Sequence, residues 1–441
     1  MLLVEEKVYK DKKLFKAIDN MCFKGKNLYN ACNYLISQIA RISYKLNKAE
    51  ELEEWETSML DTVNKAITKY NKSGKKEKGM KLVDKDNGFI ANAYFLSWYL
   101  KGNKEYKELP LATCSQVIIQ ELCRNWKAFY RAISSYNKNK TNYLGRPQPP
   151  RYKHKKRGRE WLTLTYQNIK IEKGIIYLPK VFDDFKIKTD KNNIQQVKIK
   201  AENRVVRVQI IYKVDDVIKQ EDNKRYYSID LGVNNLITVV SNVDGITPFI
   251  VNGRPLKAIN QYYNKELARK KSICKKVNKL ETTKGLLKLV NRRNRKIKDY
   301  MHKTSRLLVN RAVKNNISKI VIGKIDGWKQ EVNHGKVNNQ NFVNIPFEML
   351  IQMIKYKAEL KGIEVIEINE GYTSGTSYID SELPCVENYN KGRRKYRGLF
   401  VSNNKEKINA DVNAAYQIGR KSGISINYKG KEKVEKIRKV A

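Results

Sequence analysis

The stretch "YYSIDLGVNNLITVVSN", residues 226–242, decides how this chain is read. The apolar run "YYSID" is a strand that ends on Asp230, "LGVNN" is a turn, and the remainder is a second strand. A carboxylate at the end of such a strand stands at the carboxyl edge of its sheet, where open α/β sheets hold ligands. Gly232, two residues on, lets backbone or substrate approach closely. Read alone, Asp230 is either a turn residue or the first leg of a metal site.

Outward from this stretch, strand and helix alternate. "SKIVIGKI" (318–325) and "IEVIEINE" (363–370) read as strands, and 346–361 and 408–421 as helices. Residues 257–316 read as long, charged helix. The alternation implies a mixed, largely parallel sheet. A second acid stands in "KINADVNAAYQIGRK" (407–421), where Asp411 lies among small residues at a helix start. Asn409 would cap that helix equally well. The small neighbours would let the helix approach the first strand, so a metal leg is the better reading of Asp411. The strand at 318–325 offers only Gly323 and Lys324 at its end, whereas Glu370 ends the next one; Asp326 competes for the same role. Glu367, three residues earlier, points to the opposite face and reads as solvated. Three oxygen donors suit Mg²⁺ or Mn²⁺. Two such ions, ~3.5–4 Å apart, activate a water and stabilise a leaving oxygen.

The N-terminal half is organised differently. "LLVEEKVY" (2–9) is an isolated strand, and residues 14–45 and the segment up to about 70 are helical. Residues 91–101 form a short aromatic helix. In "LPLATCSQVIIQELCRNWKAFYRAISSY" (109–136) apolar residues recur at helical spacing, with Ser115 suited to the N-cap region. The pattern collapses at 137–160, where Tyr143, Arg146, Arg151, Tyr152 and Lys153 interleave aromatic and basic side chains. That is either a solvated linker or a surface for stacking and phosphate contacts. Residues 161–214 hold short β-type runs that could close one small barrel with strand 2–9, split by the helical insert.

The chain carries 89 Lys and Arg against 45 Asp and Glu, a net charge of +44 over 441 residues. Such an excess points to polyanions, nucleic acid first. No apolar run is long enough to span a membrane. The six cysteines are scattered without Cys-x-x-Cys, which reads as buried free thiols in a soluble intracellular protein. His154, His302 and His334 are well separated, which disfavours a DNA-joining transposase built on a nucleophilic Tyr and a metal-binding His pair.

Several stretches together resemble the transposon-encoded TnpB family, RNA-guided DNA nucleases related to small type V CRISPR effectors. They are residues 226–242, "IVIG…SYID" (320–380), "GRRKYRGLF" (392–400) and "INADVNAAYQIGRK" (408–421), and in the N-terminal half 27–35, 109–136 and 143–155. The resemblance covers nearly the whole chain. It implies a bilobed, multidomain α/β protein with a helical lobe, a small β-barrel and an RNase H-like (RuvC) nuclease domain. The implied division is 1–13 as the first wedge strand, 14–136 as a helical recognition lobe, 137–222 as wedge barrel and basic linker, and 223–441 as nuclease with a charged insertion at 257–316.

Asp230 and Asp411 match the family's first and third catalytic motifs. Glu370 matches a subgroup in which the glutamate has moved to the neighbouring strand, although Gly371 and Gly375 replace that subgroup's Ser and Lys. Many relatives carry a four-cysteine zinc module before the last motif. Only Cys385 lies there, so zinc is not expected in that stretch, and the expected metal is the Mg²⁺ or Mn²⁺ of the three acids. Trp328, Lys329, Arg393, Arg394 and Arg397 are the expected nucleic-acid contacts in this half. Guide RNA and target DNA are the expected partners, with no membrane and a prokaryotic cytoplasmic, nucleoid-associated setting. A nuclease-inactive guided repressor and a protein-only transposition factor are the alternatives.

Overall fold

The computed structural model describes residues 1–73, 79–278, 283–324, 345–396, 398–428, 434–438 and 440. They divide into two units, Met1–Asp215 and Asp216–Ala441.

In the first unit, helix α1 (Lys12–Asn47) begins where the Asp11 carboxylate accepts a hydrogen bond from Leu14 N at 2.7 Å. Its buried residues Ile18, Cys22, Tyr29, Cys32, Ile36 and Ile39 lie along one stripe. They share a core with α2 (Glu54–Lys72), α3 (Ala93–Leu100), the single turn α4 (Lys104–Lys107) and α5 (Ala112–Lys138). Leu111, not Ser115, holds the N-cap position of α5. Ser115 is buried and donates to Tyr106 O at 3.1 Å, tying α5 to α4. Between α1 and α5, the Trp126 indole donates to Asn33 Oδ1 at 2.8 Å, and the Asn33 amide donates onward to Pro150 O at 2.9 Å.

Strand β1 (Leu2–Tyr9) pairs antiparallel with β7 (Val205–Lys213) along its whole length, so the helices between them form an insertion. The sheet order is β1-β7-β6-β2, with β2 at Leu162–Thr165 and β6 at Ile194–Glu202. Asn203 and Arg204 take positive φ (48° and 67°), which a tight β6–β7 hairpin requires. Strands β3 (Lys170–Glu172), β4 (Ile175–Tyr177) and β5 (Lys186–Lys188) form a second antiparallel sheet. Among the described residues these are two separate sheets, and the small barrel expected from the sequence is not closed by backbone pairing.

The second unit is built on a six-stranded sheet ordered β12-β11-β8-β9-β10-β16. Its strands are β8 (Tyr226–Leu231), β9 (Asn235–Ser241), β10 (Phe249–Asn252), β11 (Lys319–Lys324), β12 (Glu364–Asn369) and β16 (Glu435–Ile437). β8–β11, β11–β12 and β10–β16 are parallel, and β8–β9 and β9–β10 antiparallel, so the sheet is mixed. The expected helix over 257–316 is two helices, α6 (Arg254–Ile273) and α7 (Lys284–Lys314). α7 and α8 (Phe347–Glu359) pack on one face of the sheet. The other face carries α9 (Ala410–Lys421). A small antiparallel sheet, β13 (Arg394–Tyr396), β14 (Leu399–Val401) and β15 (Lys407–Ile408), leads into α9.

Asn33 is fully buried and satisfies two partners at once. Asn33→Ala leaves the Trp126 indole and the Pro150 carbonyl without it, at roughly 1–3 kcal/mol per buried group. Chemical denaturation of the variant should show a lower midpoint with an unchanged m-value; an unchanged midpoint would mean that water replaces the amide without loss.

Candidate active site

Three segments distant in sequence bring Asp230, Glu370 and Asp411 to the wall of one cavity of about 1250 Å³ at the carboxyl edge of the sheet. Asp230 is set there by β8, and the turn after it is tight. A side chain on Gly232 would put its Cβ 2.6 Å from Asn235 O. Protein crowds Asp230, although solvent still reaches part of it. Burial, then the charges of Asp411 and Glu370, raise its pKa well above the ordinary carboxylate range, while Arg394 acts in the opposite direction.

Asp411 is free for a role other than capping because Asn409 caps α9. The Asn409 side chain accepts from Asp411 N at 3.0 Å and Val412 N at 3.2 Å. Small residues bring the helix down onto β8: Ser228 Oγ donates to Ala415 O at 2.7 Å. A Cβ on Gly419 would meet Ser228 Cβ at 3.4 Å. Asn413, fully buried, accepts from Tyr378 N and donates to Thr376 O, locking the segment after Glu370 onto the same helix.

Glu370 follows β12, whose parallel register sets Gly323 opposite Ile368 and Lys324 opposite Asn369. A Cβ on residue 323 would lie 2.7 Å from Glu370 Oε2, and closer still to Ile418 Cδ1. The glutamate thus fills space that a side chain at the end of β11 would occupy. Its Oε2 is buried without a hydrogen-bond partner, and desolvation pushes its pKa up to about 7. Glu367 is on the opposite face, as its spacing requires, but it is ion-paired rather than solvated. Its partners are Lys324, at 2.9 Å, and Lys355. Gly375 lies against the Tyr389 ring with no room for a Cβ, and Gly371 N donates to Asn369 Oδ1 at 2.7 Å.

Asp411 is held by Asn235 Nδ2, at 2.6 Å on Oδ2, and by Arg394 Nη2, at 2.7 Å on Oδ1. Among the described residues no three Asp, Glu, His or Cys side chains are already gathered as a metal-binding set. The donors still suit a hard divalent cation in kind: three carboxylates, one with an unpartnered buried oxygen and one crowded by like charge. Each Asp411 oxygen accepts one of these hydrogen bonds and keeps a lone pair for a cation, while the Arg394 charge beside it opposes the ion.

The other expected residues separate into two groups. Arg146, Arg151 and Tyr152 are exposed, and Tyr143 is partly covered, its ring edge-on to Tyr136 at 5.7 Å. Lys153 instead pairs with Glu160 at 2.7 Å and lies over the Tyr29 ring. Arg393 is likewise taken up by Glu382, and Arg394 by Asp411. The sequence did not single out the exposed Lys155 and Lys156 beside Lys153, or the cavity-lining Arg254, Lys257 and Arg438; Lys391, which begins the basic run "KGRRKYRG", lines the cavity as well. A basic run alone does not say which cation has a carboxylate beside it. Asp326, Trp328, Lys329 and Arg397 lie outside the described residues. Five cysteines are buried and Cys385 is partly exposed.

Residues 209–329 match the OrfB_IS605 family model, described as a probable transposase, and residues 347–418 match the Cas12f1-like TNB domain. A TnpB-like protein of Methanocaldococcus jannaschii is 28% identical over 174 residues, 37% of this chain and 60% of that protein. The CRISPR-associated endodeoxyribonuclease Cas12f2 of a Micrarchaeota archaeon is 26% identical over 275 residues, 58% of this chain and 47% of that one. The match therefore spans 60% and 47% of the length of these two relatives. A solved Cas12f1–sgRNA–target DNA complex overlaps 94% of this chain and 98% of its own at 15% identity, with a TM-score of 0.35 too low to add weight. No described helix is long and apolar enough to cross a membrane.

Two measurements test this geometry without catalysis. In metal-free buffer the native state keeps a proton on Glu370 between the ordinary glutamate range and about pH 7, where the unfolded chain has lost it. Linkage then makes stability fall as pH rises through that window, and Glu370→Gln should flatten the decline in melting temperature; a decline of unchanged steepness would mean that Glu370 is not the group responsible. Separately, Gly323→Ala should displace Glu370 or Ile418 and destabilise by about 1–3 kcal/mol. Wild-type stability in that variant would show that the space beside Glu370 is not tight.

Proposed function

We propose, from its matches to the OrfB_IS605 and Cas12f1-like TNB models and its similarity to TnpB-like and Cas12f2 proteins, that the chain is a TnpB-family RNA-guided DNA endonuclease. The observation that carries the reading is the meeting of Asp230, Glu370 and Asp411 at one cavity, with Glu370 Oε2 buried and unpartnered. We read the six-stranded sheet with its two helical faces as a RuvC-like, RNase H-like nuclease fold. The first unit would hold guide RNA and its duplex with target DNA, and protein contacts would read a short motif beside the target.

Asp230, Glu370 and Asp411 would hold Mg²⁺ or Mn²⁺. Divalent ions bound there supply water activation and neutralise charge on the leaving 3′ oxygen. The chain's own residues supply the rest. Arg254, Lys257, Lys391 and Arg438 line the cavity and draw a phosphodiester strand into it. Asn235 keeps one Asp411 oxygen oriented and Arg394 the other. β8, β12 and α9 are packed together, so the three carboxylates approach the strand from fixed directions.

A guided DNA binder that does not cut is the second reading, and the hold of Arg394 on Asp411 favours it. One experiment separates the two. Protein purified with its RNA is given Mg²⁺ and a DNA library, and cutting and binding are scored in parallel. Asp230→Ala, Glu370→Ala and Asp411→Ala should each abolish cutting, as should chelation, with guided binding within about twofold of wild type because the ions serve the chemical step. Wild-type binding without cutting would establish the second reading. A Glu370→Ala variant that cuts, beside an Asp326→Ala variant that does not, would move the third ligand to Asp326.

A further inference from the structure

Residues 146–160 contain no helix or strand, yet their backbone is fastened along one face of α1. Asn33 Nδ2 donates to Pro150 O at 2.9 Å and Tyr29 Oη to Arg151 O at 3.4 Å. The Asn30 amide both donates to Lys153 O and accepts from Lys153 N, each at 2.9 Å. Lys26 Nζ donates to Lys155 O at 2.9 Å, and Glu160 N donates to Cys22 O at 3.0 Å. The anchors on α1, residues 33, 30, 29, 26 and 22, lie about one helical turn from one another, except for the adjacent pair Tyr29 and Asn30. They fall toward the helix N-terminus as the segment advances from Pro150 to Glu160, so it runs as a strap antiparallel to the helix. Arg159, forked on Asp19 by two bonds of 2.7 Å, closes its far end.

These anchors grip the backbone and leave several basic side chains outward. Arg146, Arg151, Lys155 and Lys156 are exposed, and among the described residues none of the four pairs with a carboxylate. Asp19 and Glu160 are already taken by Arg159 and Lys153. Lys26, only 3% exposed, adds a buried cation without a carboxylate beneath them. Tyr152 stands among these cations at 51% exposure. A solvated linker has no need of such fastening: ordering a backbone costs about 1–2 kcal/mol per residue, and here that ordering precedes any ligand. A row of unpaired cations fits a row of phosphates. An exposed ring between them fits the face of an unpaired base, which a duplex keeps stacked on its neighbours.

We propose that residues 146–156 are a preformed cradle for an unpaired nucleic-acid strand, with Arg151, Lys155 and Lys156 on its phosphates and Tyr152 under a base. The inference rests on the reading of the chain as an RNA-guided protein, in which guide RNA and displaced DNA are the two sources of such a strand. The test uses the full chain, stripped of co-purified nucleic acid, in EDTA so that cutting plays no part. Fluorescence anisotropy over a salt series measures binding of oligo(U) RNA, oligo(dT) DNA and a DNA duplex, each of about 20 units. Combined Arg151→Gln, Lys155→Gln and Lys156→Gln should flatten the salt dependence for single strands by about two units, since each lost phosphate contact removes about 0.7. The melting temperature should not move, because these side chains are exposed.

Tyr152→Ala should weaken single-strand binding about tenfold at every salt concentration and leave duplex binding alone. Asn30→Ala, which cuts two anchors and no cation, should weaken binding without changing the slope. Preference for oligo(U) over oligo(dT) makes guide RNA the source, and the reverse makes it displaced DNA. An unchanged slope in the triple variant, or equal loss on duplex and single strand in Tyr152→Ala, would overturn the cradle. Strap-dependent oligo(U) binding by a protein that neither cuts nor binds guided DNA would keep the cradle and remove the reading it rests on.

Discussion

Three carboxylates crowded at one sheet edge are the constraint around which the second unit is arranged. Asp230 suffers most: burial disfavours its charge, and Asp411 and Glu370 add like charge beside it. The fold tolerates this only because other elements are held in place around it. Asn235 and Arg394 hold Asp411, and α9 is drawn onto β8 by small residues and the Ser228–Ala415 hydrogen bond. Such an arrangement is poor for stability without a cation and suited to receiving one.

The third carboxylate illustrates how a site can keep its shape when a residue changes strand. β11 ends on Gly323 and Lys324, and the adjacent parallel strand ends one step before Glu370. Because Gly323 has no side chain, Glu370 reaches into the space beside it. What matters to the site is an oxygen donor near Asp230. Either of two neighbouring strand ends can deliver one, provided the other leaves room.

Charge is used in two distinct ways. Some basic residues are structural: Lys153 on Glu160, Arg159 on Asp19, Arg393 on Glu382 and Lys324 between Glu348 and Glu367. Others, such as Arg151, Lys155 and Lys156, face solvent on a backbone already fastened to α1. The net charge of +44 is a property of the sum and does not distinguish the two populations. The carboxylates do, because each one within reach takes up a cation.

Much was legible in the sequence because it is local. Hydrophobic period marked the helices and strands, Asn409 was readable as a cap that frees Asp411, and strand alternation put Glu367 and Glu370 on opposite faces. The start of α7 carries a local mark as well, the Thr283 side chain that accepts from Leu286 N. The pairing of β1 with β7 across the whole helical insertion and the two open sheets in place of one barrel depended on partners far away in the chain. So did the fates of single cations. Lys153 and Lys155 are two residues apart and chemically identical, yet one pairs with Glu160 and the other faces solvent. Sequence alone determined which residues could carry charge, ligate or stack. Tertiary structure decided which of them do, because an ion pair or a desolvated carboxylate exists only once the chain has brought its neighbour within a few ångströms.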